Sequence, residues 1–382
     1  MGLSLVEKLI QKQTEYSKDS NLEKISIYVI NRGKIYWNGL FYEIINGKPN
    51  VYHFISDRTD LEQFQKCLYD IKSFIKKSDT DLIEKNDNII LFDYILDYTC
   101  YKKDEVRFLL ENLDFSFTTY LLISTDSTYN ASELSLKRDF EYFFQQKDNP
   151  TLVKEEEALW CENKETRKKL KKRDEYGYNK LKCEIELKRL FSSLKLKEQG
   201  KNYYFLRLPD VLGTYDESYR LWYYIEWVKY SHINPIEVEK EDLYRKLSFV
   251  EKEDVIDLII RIVFNKYEKT LDFSLCANQE YNLGCAENIT LMDLLDFISS
   301  KLNIKYQFEV KEQNALTYYP SVTFGPVCID KAINILNFKP RKLKESLENE
   351  FEFFQKCGEI YKKEHDEMIK DLPAKIKNSL KK

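Results

Sequence analysis

Tyr176 and Lys180 stand four residues apart in the run Tyr176-Gly177-Tyr178-Asn179-Lys180. On a helix this spacing is one turn, so both side chains lie on one face and an ammonium group can sit beside a phenol and lower its pKa toward neutrality. A phenol tuned in this way exchanges a proton with an alcohol or carbonyl oxygen. Upstream, the apolar run Tyr120-Leu121-Leu122-Ile123 reads as a buried parallel strand that ends in Ser124-Thr125-Asp126-Ser127-Thr128-Tyr129. That arrangement puts hydroxyls at the carboxyl end of a strand, where open α/β sheets bind ligands. The two segments together predict one active site.

The elements that must position these groups follow from the periodicity. Leu3 to about Lys12 is helical, and Ile25-Ser26-Ile27-Tyr28-Val29-Ile30 is a strand running into Asn31-Arg32-Gly33-Lys34. A short strand over Val51–Ile55 leads to Ser56-Asp57-Arg58, and the next strand lies over Ile89–Asp97. This alternation predicts an α/β chain with a doubly wound parallel sheet. Between Tyr129 and Tyr176 lies a charged insert, about residues 130–172, that includes Lys168-Lys169-Leu170-Lys171-Lys172-Arg173. Interleaved acids make it a solvated helix face rather than a nucleic-acid patch, and its length would allow a lid. The aromatic stretch Trp222–Trp227 reads as core of a second domain rather than a base-stacking platform. The segment Tyr318–Val327 has turn chemistry at Gly325-Pro326 and aromatic or hydroxylic flanks suited to a substrate site or an ordinary loop. From Leu343 to Lys382 the chain is helical, charged and expected to face solvent.

Composition narrows the function. The 60 basic and 64 acidic residues give a net charge of −4, with no general attraction to nucleic acid or an anionic membrane. Eight cysteines without a Cys-x-x-Cys pair predict no metal site and a reducing, cytoplasmic setting. The three histidines, His53, His232 and His365, leave little for histidine-based chemistry. No signal peptide, myristoylation signal or membrane span is expected.

Six segments in register resemble the extended short-chain dehydrogenases/reductases, the NAD-dependent epimerase/dehydratase family. They are the strand ending in Ser124-Thr125, the Tyr176-Gly177-x-x-Lys180 run, Leu206-Arg207-Leu208-Pro209-Asp210-Val211-Leu212-Gly213, Phe249-Val250 with Asp254-Val255, Tyr281-Asn282-Leu283-Gly284 with Thr290-Leu291, and Ile335-Leu336-Asn337-Phe338-Lys339-Pro340. The resemblance implies a Rossmann-like dinucleotide-binding domain over residues 1–204 and, over 205–382, mainly a smaller α/β substrate-binding domain with strands returning to the sheet and a charged C-terminal helix. It also implies an NAD(P)-dependent oxidoreductase or epimerase-like enzyme acting on a sugar-type or other hydroxyl substrate, and a homodimer. In this pattern Thr125 is the catalytic hydroxyl that bonds the reacting oxygen, Tyr176 exchanges the proton, and Lys180 lowers the phenol's pKa and holds the nicotinamide ribose.

The family's opening strand and Gly-x-x-Gly-x-x-Gly loop have no counterpart in the sequence. Gly2 matches the last glycine of that loop. The expectation is that the natural start lies upstream; the rival is a product that binds dinucleotide poorly or not at all. By resemblance the remaining cofactor contacts fall to Asn31, Arg32, Asp57, Arg58, Asp97, Ser124, Lys180 and Pro209. Arg32 favours NADP over NAD, because a guanidinium suits a 2′-phosphate. Asp126, Ser127, Asp210 and Arg220 are the substrate-side residues. Ser127 replaces a glutamate of the dehydratase pattern, which argues against dehydration, and Asp210 would repel a diphosphate unless Arg220 supplies a cation. The alternative is a catalytically inactive member serving as a binding or scaffold protein, as with relatives that associate with RNA.

Overall fold

The computed structural model describes residues 1–16, 25–78, 90–112, 115–136, 151–319 and 325–380. Part of the charged insert and part of the Tyr318–Val327 segment fall outside them.

Four parallel strands carry the site. Strands β3 (Ile90–Asp97), β4 (Phe115–Thr125) and β5 (Asn202–Leu208) follow β1 (Ile27–Asn31) and β2 (Val51–Ile55) in the chain. A later strand, Gln279–Asn282, pairs with β5, so the sheet runs from it through β5 and β4 to β3. Side chains alternate along β4. Leu121 and Ile123 enter one apolar cluster, shared with Leu5, Val6, Leu9 and Ile10 of helix α1 (Gly2–Tyr16) and with Val255 and Ile259 of helix Lys252–Val263. Tyr120 and Leu122 enter the opposite cluster, with Leu68 and Ile71 of helix Leu61–Ser78 and with Leu187 and Phe191 of helix Glu175–Ser193. Burial on both faces explains the unbroken apolar run of β4.

β1 and β2 form a separate parallel pair. Among the described residues no ladder joins β1 to β3; the two meet through the Tyr28 and Phe92 rings, 5.5 Å apart. The doubly wound expectation is therefore met by a sheet in two parts.

A third cluster fills the C-terminal half. Trp222, Tyr224 and Trp227 of helix Arg220–Lys229 pack with Leu294 and Ile298 and with Leu343, Leu347, Phe351 and Phe354 of helix Leu343–Ile360. The aromatic stretch is core, as expected. The C-terminal segment is not a solvent-facing appendage: Met368 and Ile376 are buried as well. The 204/205 boundary read from the sequence falls inside β5, and strand Gln279–Asn282 of the second half completes the sheet of the first.

Candidate active site

β4 ends by turning on itself. Thr125 Oγ1 accepts a hydrogen bond from the Ser127 backbone N–H at 3.2 Å, and Asp126–Tyr129 forms a short 3-10 turn. Helix Glu175–Ser193 is docked against this turn. Its N-cap, Asp174, accepts from the Gly177 N–H at 2.7 Å and from Asn130 Nδ2 at 3.1 Å. A Cβ on Gly177 would lie 2.0 Å from the Ser127 carbonyl oxygen, so only glycine permits this approach. The approach brings Tyr176 near Thr125, whose side chain favours the ionised phenol.

The phenol is not acidified. It is pushed up to about 12, first by burial and then by Tyr101 and Asp126, against the opposing effects of Thr125 and Arg220. The residue as a whole stays 48% exposed. The expected lowering by Lys180 fails for a geometric reason. Lys180, 2% exposed, donates to the carbonyl oxygens of Cys100 at 3.0 Å and Ile123 at 2.6 Å. Its ammonium lies 5.5 Å from the centre of the Tyr101 ring, and that ring lies 5.9 Å from the Tyr176 ring. Tyr101 is thus a neighbour of both groups that the sequence placed side by side.

On the substrate side, Asp126 is 8% exposed and accepts from Thr125 Oγ1 at 3.4 Å. Burial, then Asp210, pushes its carboxyl well above the usual value. Asp210, just after Pro209, forms an ion pair with Arg220. Its carboxyl is pushed up to about 6 by burial, with Arg220 pulling it down and Asp216 pushing it up. Thr125, Asp126, Tyr176, Asp210 and Arg220 thus converge.

The cofactor-side residues are mostly engaged elsewhere. Asn31 Oδ1 accepts from the Gly33 N–H at 2.8 Å and lies 2.9 Å from His53 Nε2. Asp57 caps its own turn through the Thr59 N–H and hydroxyl, at 2.9 and 2.7 Å. Arg58 pairs with Asp97 at 2.5 Å. Burial alone would raise Asp97, but Arg58, Tyr120 and Thr99 together hold it below its ordinary value. Ser124 points to the other side of β4 and donates to Glu184 at 2.6 Å. Glu184 in turn grips Arg207 of β5 at 2.6 and 3.1 Å. Arg32 is exposed and forms no ion pair among the described residues. Gly2 opens α1 with nothing within 4 Å of a Cβ built on it.

Searches found no protein-family model and no curated sequence that matches the chain. Solved structures do match. The UDP-glucuronic acid 4-epimerase of Bacillus cereus is 14% identical, covering 92% of this chain and 95% of that one, with a TM-score of 0.56. The dTDP-glucose 4,6-dehydratase of Bacillus anthracis is 13% identical, covering 93% and 95%, at 0.57. The dehydratase DesIV of Streptomyces venezuelae is 10% identical, covering 92% and 95%, at 0.57. The fold is that of the NAD-dependent epimerases and dehydratases.

Within this epimerase/dehydratase fold, Tyr176 lies near the end of β4, and Asn31, Asp57 and Asp97 bond within their own turns or to neighbouring side chains. Tyr101 and Gly177 were missed as site residues, although a glycine beside the tyrosine in a helix was a usable signal. A hollow of about 270 Å³ bordered by Glu155, Glu184, Lys188, Arg207 and Glu280 includes none of Thr125, Asp126 or Tyr176. Lys188 donates to Glu280, Arg207 to Glu184 and to the Glu155 backbone carbonyl, and the Glu155 carboxylate accepts from the Asn282 N–H, which makes the hollow part of the Arg207 network rather than a reaction site. Among the described residues no cluster of histidine, cysteine and carboxylate could hold a metal, and no helix is long and apolar enough to cross a membrane.

Proposed function

We propose that the chain is an NAD(P)-dependent oxidoreductase or epimerase-like enzyme that acts on a hydroxyl or carbonyl carbon of a sugar-type or other hydroxyl substrate. The observation that carries this reading is the meeting of Tyr176, Thr125 and Asp126 at the carboxyl end of β4, one helical turn from Lys180. The similar structures support it: the Bacillus enzymes are described in complex with NAD.

A bound nicotinamide dinucleotide would supply the hydride chemistry. Lys180 and Tyr176 are of the right type to hold its nicotinamide ribose. Arg32, exposed at the end of β1, suits a 2′-phosphate and favours NADP. In this reading Thr125 donates a hydrogen bond to the reacting oxygen, and Tyr176 gives it a proton or takes one away. With its pKa near 12 the phenol is a proton donor at neutral pH.

A second reading is a binding or scaffold protein without turnover. Asn31, Asp57 and Asp97 already bond within their own turns or to His53 and Arg58. Titration of the protein with NADPH and NADH, followed by fluorescence, separates the two. Saturable binding, tighter for NADPH, is expected; none would leave the binding-protein reading.

A further inference from the structure

Of the eight cysteines, two that lie far apart in the sequence meet in the fold. Cys100 Sγ is 3.4 Å from Cys183 Sγ, 83 positions along the chain, and among the described residues this is the one sulfur–sulfur contact. Both residues are 0% exposed and sit with Val106, Leu122 and Leu187 in the apolar cluster on one face of the sheet. The backbone on either side of Cys100 is fixed. Its own N–H and that of Thr99 donate to Asp97 Oδ1, each at 3.1 Å, and the Tyr101 N–H donates to Glu105 Oε2 at 3.0 Å. Cys183 is carried by the helix Glu175–Ser193, about one turn beyond Lys180. The same Cys100 whose sulfur meets this helix also gives its carbonyl oxygen to Lys180, at 3.0 Å.

We propose that Cys100 and Cys183 form a modification site, which hydrogen peroxide oxidises to a disulfide that ties the loop after β3 to the helix bearing Tyr176 and Lys180. The movement needed is small, since sulfurs now 3.4 Å apart must come to about 2.05 Å. Peroxide is the only co-reactant. One thiolate attacks a peroxide oxygen, the O–O bond breaks and water leaves, giving a sulfenic acid. The second sulfur then displaces the sulfenic oxygen as another water, and the S–S bond forms. The two thiols lose two electrons, which the peroxide oxygens gain. Burial selects the oxidant: hydrogen peroxide, close to water in size, can enter where a bulky disulfide such as oxidised glutathione cannot. The Cys183 sulfur and burial push the Cys100 thiol up, so thiolate is scarce and the bond forms over minutes to hours. Its consequence is local. With the sulfurs joined, the loop that supplies an acceptor to Lys180 and carries Tyr101 can no longer part from the helix, and the two open only together. None of this depends on the reaction proposed above.

The test exposes the whole folded protein, freed of reductant, to millimolar hydrogen peroxide. Remaining thiols are alkylated, and the protein is digested without reduction for mass spectrometry. The expected product is a pair of peptides joined through Cys100 and Cys183, lighter by two hydrogens than the separate reduced peptides and released by dithiothreitol. Recovery of both cysteines as alkylated thiols or sulfinic acids would overturn the site, as would a join that appears only after unfolding in urea. Amide hydrogen exchange of the reduced and oxidised protein then reads the tie. Peptides covering residues 98–102 and 176–183 should exchange at least about threefold more slowly once oxidised, and recover with dithiothreitol. Equal rates, or slow exchange that persists after dithiothreitol, would overturn the tie. Cys183→Ser under the same peroxide should show neither join nor slowing, and slowing in that variant would assign the effect to another oxidised residue. Should the variant fail to fold, the wild type still decides, because dithiothreitol opens the disulfide and leaves oxidised methionine as it is.

Discussion

In the proposed reaction Tyr176 works as an acid. Burial, with Tyr101 and Asp126 near by, pushes its phenol up to about 12. Removing that hydroxyl while keeping the ring isolates its role: Tyr176→Phe should lower turnover by roughly 10²- to 10⁴-fold while leaving dinucleotide affinity nearly unchanged. Single-turnover rates and fluorescence titration on the same variant check both halves, and unchanged turnover removes Tyr176 from the mechanism. A step that needs the phenolate should quicken with pH without levelling before about 11, because the ionised form keeps growing up to the pKa. That Tyr176 starts a helix and Thr125 ends a strand was legible because helical spacing and a strand's end are local features. The aim of Lys180 was not. Its ammonium goes to the carbonyls of Ile123 in β4 and of Cys100 in the loop after β3, and Tyr101, whose ring it faces, lies about a fifth of the chain away in sequence.

The element that sets the site is the helix Glu175–Ser193, and what fixes its height is the closeness of Gly177 to the Ser127 carbonyl. A methyl group there cannot be absorbed by a side-chain rotation, because the atom it meets is backbone. Gly177→Ala should therefore push the helix from the β4 turn and cost about 1–3 kcal/mol in denaturant unfolding, with a larger fractional loss of activity than of stability. Full activity in that variant would show that the turn can give way and that Tyr176 does not depend on it. Deeper along the same helix, Glu184 locks Ser124 of β4 and Arg207 of β5, both of the latter nearly fully buried. The strands were legible from apolar runs: those expected over Val51–Ile55 and Ile89–Asp97 are observed at Val51–Ile55 and Ile90–Asp97. The C-terminal helix was recognised as a helix but not as core. Its stripe of Leu343, Leu347, Phe351 and Phe354 has core spacing, and the lysines and glutamates between obscured it. The division of the sheet between β1 and β3 leaves no mark on either strand's own sequence, since it concerns which edge each strand presents.

Across the whole molecule, buried carboxylates join the C-terminal helices to the sheet half. Glu251 ends a short strand, Phe249–Glu251, that pairs with Asp210–Leu212, and it caps the helix Lys252–Val263. It is 5% exposed, and one of its oxygens has no hydrogen-bond partner. Burial drives its carboxyl up to about 7, against the opposing effects of the Glu253 N–H, of Ser346 near by and of the charges of Lys252 and Arg341. A carboxyl whose folded value exceeds its unfolded one binds its proton more tightly when folded. Its stabilising effect is complete below the ordinary value of 4.5 and is lost as pH rises through about 7. Asp210 acts in the same direction, between its ordinary 3.8 and about 6. Asp97 acts oppositely, since its depressed value gives stability above the ordinary carboxylate range that is lost in stronger acid. Between pH 5 and 8 the raised groups set the sign for carboxylates, so Glu251→Gln should flatten the fall in unfolding free energy over that window by up to about 3 kcal/mol. Urea unfolding at pH 5, 6, 7 and 8 measures it on wild type and variant. Parallel curves for the two proteins would mean that Glu251 titrates as an ordinary surface carboxylate and that the buried junction between the halves is better solvated than its side chains indicate.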